Sequence, residues 1–121
     1  MVRPNYKAMM RMENAFKKAF RQDALLKQSR KCYYCYDIMN YDTVTAEHVK
    51  PRMHGGSTTR KNIKAACLNC NGAKAAMPKR QFLKIIRNPP PEASMQIKVC
   101  YIRHRLNRAI DRACDKLVKR S

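Results

Sequence analysis

Two Cys-x-x-Cys pairs, Cys32-Tyr-Tyr-Cys35 and Cys67-Leu-Asn-Cys70, stand in a sequence of 121 residues. Two residues between cysteines let one tight turn present both sulfurs to a single ion, and four thiolates satisfy a tetrahedral Zn2+. A closed four-sulfur set leaves no open position, so this zinc is read as structural rather than catalytic. Residues 36–66 separate the pairs, more than the roughly 15–20 of a ribbon-type site. The intervening segment must therefore fold as a subelement of its own. Two disulfides are the rival reading. The N-terminus, MVRPNYKAMM, lacks the apolar stretch of a secretory signal, and a reducing compartment disfavours disulfides. Cys100 and Cys114 have no second ligand nearby in sequence and read as inert buried thiols.

The segment between the pairs carries a second kind of chemistry. Glu47 adjoins His48, followed by Pro51, Gly55-Gly56 and Asn62, and Asn71 and Lys74 come just after the second pair. Histidine titrates near neutral pH and suits a general base. Carboxylate and amide oxygens suit a hard cation such as Mg2+. Adjacent residues on a strand point to opposite faces, so Glu47 and His48 share a site only where the strand ends or bends. An adjacent Glu and His is otherwise an ordinary surface pair. His54 reads first as a loop histidine bonded to backbone and second as a phosphate contact.

The elements that must position these residues can be read from periodicity. Residues 5–30 look helical, with Met9, Met12, Phe16 and Phe20 in one apolar stripe expected to pack on the core. Asp23 is a candidate cap for a second short piece. Thr43 to Glu47 reads as a strand with His48 at its end, residues 51–60 as a loop, and Ile63 to Ala66 as a returning strand. Asn69 to Ala76 and Lys79 to Arg87 read as helices, the latter stopped by Pro89, Pro90 and Pro91. Glu92 to Arg120 reads as a long helix with an apolar seam of Met95, Val99, Ile102, Leu106, Ile110, Ala113 and Leu117. That seam fits either internal packing or pairing with another copy. The expected organisation is one domain: a helical extension (1–30), a zinc-stapled core (31–78) and a basic helical region (79–121).

Lys plus Arg number 27 against 8 Asp plus Glu, a formal charge of +19. Such self-repulsion favours a polyanionic partner. With no Trp and three Phe, an interfacial membrane helix lacks anchors, and no apolar run is long enough to span a bilayer. Nucleic acid is the expected partner. Arg105, Arg108 and Arg112 on the C-terminal helix, and Lys50 and Arg52 beside the loop, are its candidate contacts. Tyr33, Tyr34, Tyr36 and Tyr41 could stack on bases, but knuckle tyrosines more often cover a zinc site.

In combination, Glu47-His48-x-x-Pro51, Gly55-Gly56, Asn62 and Cys67-x-x-Cys70-Asn71-x-x-Lys74 resemble the HNH endonuclease family. The match is to the subgroup whose ββα-metal motif is stapled by two Cys-x-x-Cys knuckles, over Cys32 to about Met77. The resemblance implies an α+β fold with a small ββα-metal core and flanking basic helices. It implies a metal-dependent DNA endonuclease, nicking one strand per site, acting inside the cell. His48 would be the general base. Glu47 and Asn71 would hold a catalytic Mg2+ or Mn2+. Asn62 would hold the loop and orient His48, and Lys74 would face the phosphate backbone. The commoner family pattern has Asp at the Glu47 position and often His at the Asn71 position, so the signature here reads His-Asn-Asn. Small nucleases of this kind are frequent in phages and mobile elements, which leaves open a homodimer or association with a larger machine. The alternatives are a zinc-stapled DNA-binding module without cleavage and an RNA-binding accessory protein.

Overall fold

A computed structural model describes residues 5–120; Met1 to Pro4 of the expected N-terminal extension, and Ser121, lie outside the described residues. The order is α1 (Tyr6–Lys27), β1 (Val44–His48), a 3-10 turn (Arg52–His54), β2 (Ile63–Cys67), α2 (Leu68–Lys74), α3 (Lys79–Arg87) and α4 (Met95–Arg120). β1 and β2 pair antiparallel, with Val44 opposite Cys67 and His48 opposite Ile63. α1 and α2 both pack on this hairpin, and α4 covers α2 and α3. The result is the small α+β arrangement expected from the sequence.

Local chemistry sets the boundaries. Asn5 caps α1 by accepting from the Ala8 amide at 3.1 Å, and the helix then runs unbroken through Asp23 to Lys27. Asp23 therefore starts no second helix; it pairs with Lys27 and Arg60 instead. Ser94 accepts from the Ile97 amide at 3.2 Å, and α4 starts at Met95, three residues beyond the Glu92 start read from sequence. Cys67 both closes β2 and caps α2, its sulfur accepting from the Cys70 amide at 3.4 Å.

The core holds Leu25, Tyr34, Met39, Val44, Ala65, Ala66, Phe82, Ile86 and Cys100 around the cysteine cluster. Tyr34 meets Phe82 edge-on, with ring centroids 5.0 Å apart. The stripe of α1 does not join this core. Met9, Met12 and Phe16 are each at least half exposed, while Ala24 and Leu25 are buried. The reason is length: α1 is about 33 Å long, and a five-residue strand spans only about 17 Å. The helix outruns the sheet it packs on.

Of the two fates read for the α4 seam, internal packing is not what the fold shows. Met95, Ile102, Leu106, Ile110 and Leu117 are exposed, and the buried residues are Cys100 and His104. α4 docks through polar groups. His104 Nδ1 donates to the Tyr34 carbonyl at 2.9 Å, and the Asn107 amide donates to the Cys35 carbonyl and to Asp37. Those knuckle carbonyls need donors, and Leu106 or Ile110 could not supply them. Among the described residues, no helix is long and apolar enough to cross a membrane.

Candidate active site and metal centre

The sulfurs of Cys32, Cys35, Cys67 and Cys70 lie within 4.8 Å of one another. Cys35 and Cys67 are 3.8 Å apart, close to the edge of a tetrahedron with Zn–S bonds of about 2.3 Å and far from a disulfide at about 2.05 Å. The Tyr34 and Cys67 amides both donate to Cys32 Sγ at 3.4 Å, which suits a thiolate. The donor set therefore fits a metal such as zinc. Cys100 is buried, as read, but sits beside the cluster: its sulfur lies 3.3 Å from Cys70 and accepts from the Asn69 side-chain amide at 3.2 Å. Cys114 is exposed rather than buried.

A separate cleft of ≈ 220 Å³ opens where β1 ends, lined among others by Glu47, His48, Arg52 and Asn71. Three of the expected site residues and one expected basic contact thus share one wall system. Glu47 and His48 do so because β1 terminates at His48. Pro51 and the 3-10 turn then reverse the chain, and Gly55 ends that turn at φ +86°.

Glu47 is 3% exposed. Burial pushes its carboxyl up to about 7, against the pull of the Lys74 charge. Its Oε1 lies 3.7 Å from Lys74 Nζ. Its Oε2 has no hydrogen-bond partner, nor has the buried Tyr34 hydroxyl near it. Burial keeps that phenol protonated. A buried carboxylate oxygen is costly unless a donor or a cation meets it; the Tyr34 hydroxyl is close enough to pull the carboxyl's pKa down, and a cation would meet it too. Asn71 spends its amide nitrogen on Thr45 Oγ1 at 2.9 Å and the Ala46 carbonyl at 3.3 Å. Its carbonyl oxygen is the atom left to serve as a ligand. Glu47 and Asn71 accordingly fit a hard divalent cation.

His48 is placed by a relay that sequence reading missed. Its Nε2 lies 2.9 Å from Thr58 Oγ1, and the Thr58 hydroxyl donates to Glu13 Oε1 at 2.9 Å. A hydroxyl has one proton, so Thr58 accepts from His48 Nε2–H. The imidazole is then held in the tautomer that leaves Nδ1 as the proton acceptor. Glu13, on α1, also pairs with Arg52. Burial, with Arg52 and Lys17 nearby, holds the His48 pKa below its ordinary value, so the ring stays neutral at neutral pH. Thr58 sits in a loop of hydroxyl residues, and Glu13 lies far upstream on a helix, so spacing offered no signal for either.

Other expectations shift. Asn62 bonds the Lys50 backbone on both sides, accepting from its amide at 2.8 Å and donating to its carbonyl at 3.0 Å, and also donates to the Ser57 carbonyl at 2.8 Å. It holds the loop but makes no bond to the His48 ring, so it is a positioning residue. Lys74 does not face solvent phosphate: it is 1% exposed and donates to the His48 carbonyl at 3.4 Å. On a short helix packed against β1, its position points inward to the only buried carboxylate in the core among the described residues. His54 Nε2 donates to the Ala76 carbonyl at 3.0 Å, the backbone bond first expected. Lys50 lines a neighbouring cleft with His54 and Lys79. Arg105, Arg108 and Arg112 line another with Arg87 and Tyr101.

Residues 32–85 match the family model described as HNH endonuclease. The CRISPR-associated endonuclease Cas9 of Actinomyces naeslundii is 37% identical over 59 residues, 48% of this chain and 5% of that protein. Cas9 of Corynebacterium diphtheriae is 33% identical over 60 residues, 49% of this chain and 6% of that protein. The chain thus spans about a twentieth of the length of these curated relatives. Among solved structures, the Type II-C Cas9 enzyme from Actinomyces naeslundii has a TM-score of 0.48 and 22% identity, over 83% of this chain and 13% of that one.

Proposed function

We propose that this chain, a member of the HNH endonuclease family through residues 32–85, is a metal-dependent nuclease that hydrolyses DNA phosphodiester bonds and nicks one strand per site. The observation that carries the reading is the shared cleft of Glu47, His48 and Asn71, with the His48 tautomer fixed through Thr58. His48 Nδ1 takes a proton from water as the water oxygen bonds to phosphorus and the bond to the leaving ester oxygen breaks. Nε2–H remains bonded to Thr58 as positive charge builds on the ring, and Glu13 beyond it stabilises that charge. Arg52, exposed at the cleft mouth, neutralises phosphate. Lys74, beneath Glu47, limits the cost of its buried charge. A divalent cation, Mg2+ or Mn2+, held by Glu47 and Asn71 would supply charge stabilisation at the scissile phosphate. Zn2+ in the four-cysteine site would tie the two knuckles together without entering the chemistry.

The expected work is inside the cell on DNA, with the phage or mobile-element setting implied by the family resemblance. Association with a second copy or a larger machine would use the exposed α4 seam of Ile102, Leu106 and Ile110. A second reading, a zinc-stapled DNA-binding module without cleavage, has one observation in its favour: Glu47 already has an ammonium neighbour in Lys74. Supercoiled plasmid incubated with the protein and Mg2+ or Mn2+ separates the two. Open circles that require added metal, and are lost in His48→Ala, support the nuclease. Plasmid that stays supercoiled with either metal while a gel shift persists would overturn it in favour of the module.

A further inference from the structure

The basic side chains around the catalytic cleft exceed what one scissile phosphate can use, and they lie on either side of that cleft. A cleft of ≈ 400 Å³ between α1 and β1 is lined by Lys17, Lys18 and Arg21, and it shares Ala46 and His48 with the catalytic cleft. Arg21 Nε there is buried and has no hydrogen-bond partner. In the other direction, the catalytic cleft shares Pro51 with a cleft that Lys79 also lines. Lys79 lines the next cleft together with Arg87. Arg87 in turn lines the ≈ 520 Å³ cleft of the α4 arginines. Each cleft shares a lining residue with the next, which sets the catalytic cleft between the basic clefts of α1 and those of α3 and α4.

Acidic groups near this row of clefts are already matched. Glu13 pairs with Arg52, Asp23 with Lys27 and Arg60, and Asp111 with Lys31 at 3.0 Å. The aromatic rings along it are matched too. Tyr33 carries Lys79 over its ring at 4.9 Å, and the Tyr101 hydroxyl accepts from Arg105 at 2.7 Å. These rings hold cations in place instead of offering a free face to a base. The grip is therefore on phosphate, independent of base sequence. From Lys79 to Arg87, α3 spans about 12 Å, the axial length of three to four phosphates of one B-form strand at about 3.4 Å each.

We propose that this row of clefts forms a path that seats one DNA strand on both sides of the scissile phosphate, with Lys17, Lys18 and Arg21 on one arm and Lys79, Arg87 and Arg108 on the other. The position of the scissile phosphate rests on the nuclease reading; the grip does not. The test is fluorescence anisotropy of the full chain on a labelled DNA duplex, without added divalent metal so that nothing is cut, across a salt series. Lys17→Ala/Lys18→Ala and Arg87→Ala/Arg108→Ala are each compared with the native chain. Each pair should flatten the slope of log affinity against log salt by about 1.8, two contacts at about 0.9 each. The charge-keeping pairs Lys17→Arg/Lys18→Arg and Arg87→Lys/Arg108→Lys should retain the native slope. A slope unchanged in either alanine pair, with zinc content and circular dichroism intact, removes that arm and overturns the two-sided path. An alanine-pair effect that the charge-keeping pair reproduces would also overturn it, since charge would not be the cause. Nicking is read separately, so failure to cut with the slope effects intact would sink the nuclease reading alone.

Discussion

Replacing Glu47 by Gln tests both the buried carboxylate and its role as a cation ligand. Burial lifts the Glu47 carboxyl from an ordinary 4.5 to about 7. Between those values the folded chain holds a proton that the unfolded chain has released. The stability from this group is therefore present in full below about pH 4.5 and is lost as pH rises through 7. At about 1.4 kcal/mol per pH unit, the loss is about 3 kcal/mol by pH 8. His48 works in the opposite sense: its lowered pKa costs stability as pH falls below about 6.5. Both proteins carry His48, so its contribution cancels in their difference. The assay is urea denaturation from pH 5 to 8 in zinc-replete buffer without Mg2+. Native protein should lose about 2.5 kcal/mol more than Glu47→Gln across that range, the rest of the loss lying below pH 5. At pH 8, Mg2+ at about a hundred times its dissociation constant should return about 2.7 kcal/mol to the native chain and little to the variant. Parallel pH profiles would refute the buried-charge argument. Equal stabilisation of both chains by Mg2+ would refute Glu47 as ligand.

Four further outcomes are expected. Thr58→Val removes the hydroxyl between His48 and Glu13; a bond to a charged group contributes about 1.5–3 kcal/mol, so plasmid nicking should slow roughly tenfold to a hundredfold, with Thr58→Ser restoring it. In pH–rate profiles, Glu13→Gln should carry the acid limb to lower pH, because Glu13 is the group that raises the His48 pKa; a limb that stays put would exclude the relay. Gly56→Ala would set a methyl 1.8 Å from the Lys50 carbonyl oxygen, a clash with backbone that should cost at least about 1–3 kcal/mol in thermal unfolding. For the metal centre, Cys67→Ala should lose zinc and the folded core, whereas Cys100→Ala should keep about one zinc per chain by elemental analysis, since four ligands complete the site.

The chemistry of this chain was more legible than its packing. The two cysteine pairs announced their joint site because zinc demands a fixed ligand type and count, and the fold brings the four sulfurs together. Both strands and α3 followed from local pattern and from the Pro89–Pro91 stop. Burial did not. Periodicity shows that a helix has an apolar face, but what covers that face depends on the size of the neighbouring element. The stripe of Met9, Met12 and Phe16 and the seam of Ile102, Leu106 and Ile110 are exposed because the five-residue strands and short helices beneath them run out. The docked face of α4 was missed for the converse reason. His104 and Asn107 carried no signal in the sequence and Cys100 read only as a buried thiol, yet they meet knuckle carbonyls and a cluster sulfur. Lys74 was misread for a related reason. Spacing put it one turn beyond Asn71 but could not say that the turn points inward, toward Glu47.

The boundary of the family match sharpens the point about α1. The match begins at residue 32, but the imidazole at the candidate site is oriented through Thr58 by Glu13, and Lys17 is near enough to depress its pKa. In the proposed reading, residues 32–85 supply the base His48, the ligands Glu47 and Asn71 and the relay hydroxyl of Thr58, while Glu13 on α1 fixes which way that hydroxyl points. Without Glu13 the Thr58 hydroxyl could donate to Nε2 as readily as accept from Nε2–H, and the imidazole could take either tautomer, of which one leaves Nδ1 free to take a proton. One carboxylate delivered by a flanking helix removes that ambiguity, and the same helix carries the cations of one arm of the proposed strand path. That double use accounts for an α1 whose first four turns are too exposed to contribute much to the core: its value lies in what it brings to the cleft, and replacing Glu13 should cost activity far more than it costs stability.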